Sequence, residues 1–258
     1  MLNLKKTWKN SGTLMVLLAG LAIFAAGCSD DDDPITGPGT PDMGEGASLR
    51  VVHASPDAPA VDIYAEGVSG ALISDLGYTE TSDYLDLEAG DYNIQIRAAG
   101  SPESGLPAFE TGMLSVPDGA RITAIAAGKL TSTDDEDKFR VLVKVENFDD
   151  PGAGNAAVRV IHASADAPTV AVDVANDGSP EIMDFARFDG DSGQAGVALP
   201  ADQALQIGIW AGSPLGRVTA FTTPALPDGG ELFVIATGLL GELPRDDDGF
   251  GLLAVGPE

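Results

Sequence analysis

Beyond about position 47, apolar and polar residues alternate with a period of two, the spacing that puts successive side chains on opposite faces of a strand. Leu49, Val51 and His53 share one face of such a segment, and Arg50 and Val52 share the other. Tyr92, Ile94, Ile96 and Ala98 alternate with Asn93, Gln95 and Arg97. The runs 121–125 and 140–145 read as further strands, with turn signals between them at Ala89-Gly90-Asp91 and Pro117-Asp118-Gly119. No stretch after position 47 carries a helical period. About seven or eight short strands are expected in each half.

The pattern occurs twice. Residues 49–59, Leu-Arg-Val-Val-His-Ala-Ser-Pro-Asp-Ala-Pro, return as 158–168, Val-Arg-Val-Ile-His-Ala-Ser-Ala-Asp-Ala-Pro. The only two histidines, His53 and His162, lie 109 positions apart within these strings. Further matches pair Val61-Asp62-Ile63 with Val172-Asp173-Val174, Gly100-Ser101-Pro102 with Gly212-Ser213-Pro214, and Pro117-Asp118-Gly119 with Pro227-Asp228-Gly229. Each copy is roughly 100 residues, a common size for one sandwich. The fold class expected is all-β, with two tandem antiparallel immunoglobulin-like sandwiches. Their boundaries are 48–148 and 157–258, joined by a Pro- and Gly-bearing linker at 149–156.

The first 27 residues have another character. Lys5, Lys6 and Lys9 precede an uncharged apolar run from Leu14 to Phe24, and the small residues Ala25, Ala26 and Gly27 follow. These are the three parts of an export signal, and the run is short for a permanent span of about 30 Å of hydrocarbon. Ala25-Ala26-Gly27-Cys28 resembles the lipobox of bacterial lipoproteins, with Ala25 where Leu is most often found. The resemblance implies cleavage before Cys28, acylation of that residue and attachment to a membrane. Cys28 is the only cysteine, so no disulfide is expected. The following Ser29-Asp30-Asp31-Asp32-Asp33 resembles an acidic tag that directs lipoproteins to the exterior of the outer membrane. Residues 28–47 are read as an acidic, then Pro- and Gly-rich, tether.

Charge narrows the partners. The chain has 40 acidic and 14 basic side chains, a formal net charge of −26. Such a polyanion repels phosphate backbones, so nucleic acid is not an expected partner. Among hydrophobic residues, Val, Ile, Leu and Ala supply the core, and aromatics are only 6%.

The repeated strings contain the candidate chemistry. His53, Ser55, Asp57 and Asp62 form one set, and His162, Ser164, Asp166 and Asp173 the other. Imidazole beside carboxylate could ligate a metal or move a proton. The favoured reading is a structural corner, with a half-buried histidine bonded to the returning chain and Ser and Asp accepting backbone N–H groups, because the whole string recurs, alanines included. Asp189 and Asp191, in Asp-Gly-Asp-Ser-Gly, are candidates for a weak calcium site, although the distal Glu of a full calcium loop is missing. The acidic stretches 134–137 and 246–248 read as solvated loops before each last strand. Tyr64 and Trp210 are aromatics that could mark a binding face. No nucleophile elbow, zinc-protease helix or phosphate loop occurs.

The repeated string resembles a bacterial domain family formally of unknown function, whose first strand reads Arg-Val-x-His-Ala-Ser-Pro-Asp-Ala-Pro before Val-Asp-Val. The second copy departs from it with Ala165 in place of the first Pro. The resemblance implies an extracytoplasmic β-rich module and no reaction. The expectation is a non-enzymatic envelope lipoprotein, a binding or spacer module with no cofactor beyond weak calcium, and with an extracellular protein or glycan as possible ligand. The competing expectation is an envelope hydrolase or metal-dependent enzyme using His53 or His162.

Overall fold

The computed structural model describes residues 46–242 and 249–256. Cys28, the leader, the tether before Gly46 and Asp246 to Asp248 lie outside the described residues. The strands in chain order are β1 (Ala47–His53), β2 (Val61–Ala65), β3 (Ile73–Leu76), β4 (Leu85–Leu87), β5 (Gly90–Ala98), β6 (Phe109–Val116), β7 (Arg121–Ala127) and β8 (Arg140–Val145). The second set is β9 (Asn155–His162), β10 (Val170–Asp173), β11 (Ile182–Phe185), β12 (Val197–Pro200), β13 (Gln206–Ala211), β14 (Gly216–Thr222), β15 (Glu231–Thr237) and β16 (Gly251–Val255). Each set makes two four-stranded sheets of the same order, β4-β1-β7-β8 over β3-β2-β5-β6 and β12-β9-β15-β16 over β11-β10-β13-β14. Leu49, Val51, Ile63, Ile96 and Ile122 fill the first sandwich, and Val158, Val160, Val172, Ile209 and Phe250 the second.

One ladder in each sandwich departs from the antiparallel expectation. β1 runs parallel to β7, and β9 parallel to β15, while the other ladders are antiparallel. Both strands of each such pair are buried on both faces, the usual setting of parallel pairs. Val51-Val52 and Ala124-Ile125-Ala126-Ala127 are continuous apolar runs, and every one of these residues is buried.

The second face of each such sheet packs against its counterpart. Val52, Ile125, Ile161, Phe233 and Ile235 are at 0% exposure in one apolar cluster that draws on both sandwiches. Phe148, the residue just before the expected linker, is docked there, edge-on to Phe233 at 5.3 Å between ring centroids. Two arginines cross the seam reciprocally. Arg50 donates to Gly256 O at 2.5 Å, and Arg159 donates to Val145 O at 2.8 Å, each reaching the end of the other sandwich's last strand. Both guanidinium groups lie near the single ring of Phe233, at 5.9 and 5.6 Å. Thr237 Oγ1 donates to Ala54 O, and Lys144 pairs with Asp191, also across the seam. A fully buried Val, Ile or Phe contributes about 1.5–3 kcal/mol. Five of them outweigh two charge-assisted bonds of about 1.5–3 kcal/mol each. Apolar burial therefore holds the seam, and the arginines set its alignment.

Candidate functional site

The two repeated strings form corners between β1 and β2 and between β9 and β10. In the first, His53 is at 0% exposure, so its ring is fully rather than half buried. Its Nε2 lies 3.0 Å from Pro59 O, and Ser55 N–H donates to its Nδ1 at 3.3 Å. Together these bonds require a neutral ring with the proton on Nε2. Burial pulls its pKa below the usual imidazole value, and the bond to Pro59 only partly opposes this. Ser55 Oγ donates to Gly128 O at 2.7 Å. Asp57 takes Leu130 N–H at 2.7 Å on one oxygen and Thr131 N–H at 3.0 Å on the other, which also accepts the Thr131 hydroxyl. Burial raises the Asp57 pKa, but these donors outweigh it and the net shift is downward. The string thus fastens β1 to the turn after β7. Gly128, at φ +82°, makes that turn, and a Cβ there would lie 2.3 Å from Lys138 O.

The second corner repeats the main bonds, without a counterpart to the Thr131 hydroxyl, whose place is taken by Gly241. His162 Nε2 lies 3.1 Å from Pro168 O, and Ser164 Oγ donates to Gly238 O at 2.6 Å. Asp166 accepts Leu240 N–H at 2.5 Å and Gly241 N–H at 3.0 Å. His162 Nδ1, however, is buried without a partner. Burial again lowers this histidine's pKa, and the Pro168 bond opposes it. Ala165, which replaces the first Pro of the string, is fully buried and leaves these bonds in place.

The remaining candidates are not gathered around either histidine. Asp62 is buried and accepts Asp75 N–H at 2.8 Å and Gly100 N–H at 2.9 Å, tying β3 and the turn after β5 to β2. Asp173 accepts Asp177 N–H, Gly178 N–H and Trp210 Nε1–H. These aspartates are not equivalent, contrary to the alignment read from the sequence. Ile63 pairs with Ile73 and Ile96, as Val172 pairs with Ile182 and Ile209. By register, Asp173 occupies the position of Tyr64 and Ala171 that of Asp62, a shift of two residues. A two-residue slip preserves the side-chain face, which is why the alternation could not reveal it. Tyr64 is buried beneath the Arg97 guanidinium at 5.5 Å, and Trp210 is half-buried.

Asp191 is engaged by cations of the chain itself. Burial would raise its pKa, but Arg159 and Lys144 prevail and hold it at about 2. Arg159 donates to both its oxygens at 2.8 and 2.6 Å, and Lys144 to one at 2.9 Å. Neutralised in this way, it is a poor ligand for calcium, and Asp189 is exposed beside it. Among the described residues, Asp173, Asp177 and Glu181 are the one trio of acids or histidines near enough to share an ion. Asp177 and Glu181 were not singled out from the sequence. The signal was an Asp-x-x-x-Asp-x-x-x-Glu spacing around the Asn176-Asp177-Gly178 turn. The acidic loop 134–137 is tied down by its own lysines, Asp137 to Lys129 and Asp135 to Lys138.

Fold and corners define the chain as a twin β-sandwich whose repeated polar residues bond to its own backbone. Residues 47–173 match the model of a domain of unknown function, DUF4397. The match spans the whole first sandwich and runs through β10, so both histidine strings fall inside it. No curated protein matches the chain.

Proposed function

We propose that the protein is a non-enzymatic module of the bacterial cell envelope, in which both sandwiches are copies of this domain of unknown function displayed on a lipid anchor at Cys28. The observation that carries the non-enzymatic reading is the state of the two histidines. Each is at 0% exposure, neutral, and bonded to a proline carbonyl of its own corner. A general base or metal ligand needs a lone pair open to substrate or ion. His53 has none to offer, and the Nδ1 of His162 faces the packed interior.

The anchor reading rests on the order of Lys5, Lys6 and Lys9, the apolar run 14–24 and the small residues before the single cysteine. The tether and the docked pair of sandwiches then suit a rigid body held off a membrane surface, facing outward on the outer membrane, where it binds an extracellular protein or glycan or acts as a spacer. The test is metabolic labelling with a fatty acid, together with protease shaving of intact cells. The expected result is label on the wild type, none on Cys28→Ser, and loss of the full-length band from whole cells. An unlabelled mature protein would refute the anchor. Protection from protease until lysis would refute the outward orientation.

A further inference from the structure

The two sandwiches share a strand order but are not equally filled. Between the sheets of the first lies a cavity of about 50 Å³, and the corresponding space in the second is about 10 Å³. The ladder registers identify the cause. Ala124 faces Val51 as Val234 faces Val160, and Val141 faces Ala126 as Leu252 faces Ala236. Leu76 pairs with Val61 as Phe185 pairs with Val170. At all three positions the second sandwich has the larger side chain. Leu49 for Val158 and Ile63 for Val172 run the other way by one methylene each, and Phe109 faces Ile96 where Thr219 faces Ile209.

The cavity is dry by its chemistry. No residue that lines it is charged, and the walls are mainly the side chains of Leu49, Ile94, Ile96, Leu114 and Val141 around Ala124. A buried water needs two to four polar partners. Of the three hydroxyl residues on its lining, Ser115 lies at the exposed rim and the other two are bound elsewhere. Tyr92 donates to Glu88 O, and Thr111 bonds Ile94 N and Gly112 O. The cavity is also open to solvent at one side. Val143 of the edge strand β8 and Ser115 of the edge strand β6 line it and are exposed. An unfilled apolar space that can be reached from outside differs from an ordinary packing defect, which is sealed.

We infer that the first sandwich takes a neutral alkyl group into this cavity, entering between β6 and β8. Its volume is about a third of the roughly 150 Å³ site that admits benzene or xenon in an engineered protein. It therefore accepts a single large atom or the end of a hydrocarbon chain and excludes a sugar ring or a folded peptide. Neutrality follows from the uncharged walls and from a chain whose net charge of −26 repels anions. The hydrocarbon can belong to a free small molecule or to a lipid chain. The inference stands on the cavity alone and does not depend on the anchor at Cys28.

The test uses methyl-labelled protein in solution, titrated first with xenon, then with a free alkane, and then with neutral phosphatidylcholine vesicles. The expected result is saturable shift changes at the methyls of Ile94, Ile96, Leu114 and Val141, with none at Ile207, Ile209 or Val172. Ala124→Val, which installs the residue of the second sandwich, should weaken xenon binding at least tenfold while the spectrum elsewhere is unchanged. Val234→Ala should create the response in the second sandwich. Response to the alkane but not to vesicles assigns a free ligand, and response to both assigns lipid chains. Shifts of equal size in the two sandwiches, absence of saturation, or an Ala124→Val variant that binds like the wild type would overturn the inference.

Discussion

The corners of the two sandwiches are nearly superimposable in their bonding, whereas the sheets that face away from the seam have diverged. Ser55 and Ser164 reach the same carbonyl position, Gly128 and Gly238, and Asp57 and Asp166 each take two successive N–H groups of the following turn. In the outer sheets, Arg97 over Tyr64 gives way to Trp210 beside Asp173. The ten-residue excursion between β5 and β6, with Leu106 96% exposed, is reduced to four residues between β13 and β14. Backbone carbonyls and amides at the end of a sheet must be satisfied in either copy, so the residues that satisfy them recur. A surface in contact with solvent has no such demand and is free to acquire separate uses.

The seam offers the strongest way to break this comparison. Phe233→Ala removes a ring shared by both sandwiches, and a loss of about 3–5 kcal/mol in denaturant unfolding is expected. Next come the histidines. His53→Ala should cost about 2–4 kcal/mol, through the cavity and the stranded Pro59 carbonyl. His162→Ala should cost less, because its Nδ1 has no bond to lose. Equal losses would mean that the extra bond at His53 contributes nothing. Asp57→Ala and Asp166→Ala should cost about 1–3 kcal/mol each, since each strands two amides, with Asp57→Ala the larger because it also loses the Thr131 hydroxyl bond.

Acidity separates the halves further. The buried histidines have lowered pKa values, so the unfolded chain binds protons first and stability falls as pH drops below about 6.5, levelling off below the folded pKa. Asp191 acts in a lower window. Its contribution is complete above about pH 4. It is lost as pH falls through the folded value of about 2, and Asp191→Asn should flatten that part of a stability-against-pH curve. The equivalent position in the first sandwich is Thr81, as the bridges Ile161–Asp191 and Val52–Thr81 show, and Arg50 pairs instead with Glu146. The smallest effect expected is Ala124→Val, a gain below about 1 kcal/mol from filling the cavity, read as a small rise in melting temperature.

What could be read in the sequence follows from which physical signals are local. Alternation at Leu49-Val51-His53 and Tyr92-Ile94-Ile96 revealed strands, and the recurrence of eleven residues around each histidine revealed two related sandwiches. The parallel β1–β7 ladder was not legible, because pairing direction is set by distant segments. Alternation put Arg50 on the strand face away from Leu49 and Val51, yet Arg50 and Arg159 are 2% and 3% exposed beneath the seam. Their partners, Gly256 O and Val145 O, are backbone atoms that leave no trace in side-chain pattern. Asp191 drew attention as a calcium ligand because its neighbours are acidic and glycine-rich, whereas the cations that claim it come from residues 144 and 159. The cavity depends on side-chain sizes at facing positions such as Ala124 and Val234, visible only once the register is known.

The seam joins both sandwiches into one cooperative body through a shared apolar cluster. Native-state hydrogen exchange of the β7 and β15 amides in Phe233→Ala tests it most directly. The expected result is an equal fall in protection of both strands, although the substitution lies in only one of them. A fall confined to β15, with β7 as protected as in the wild type, would contradict the claim.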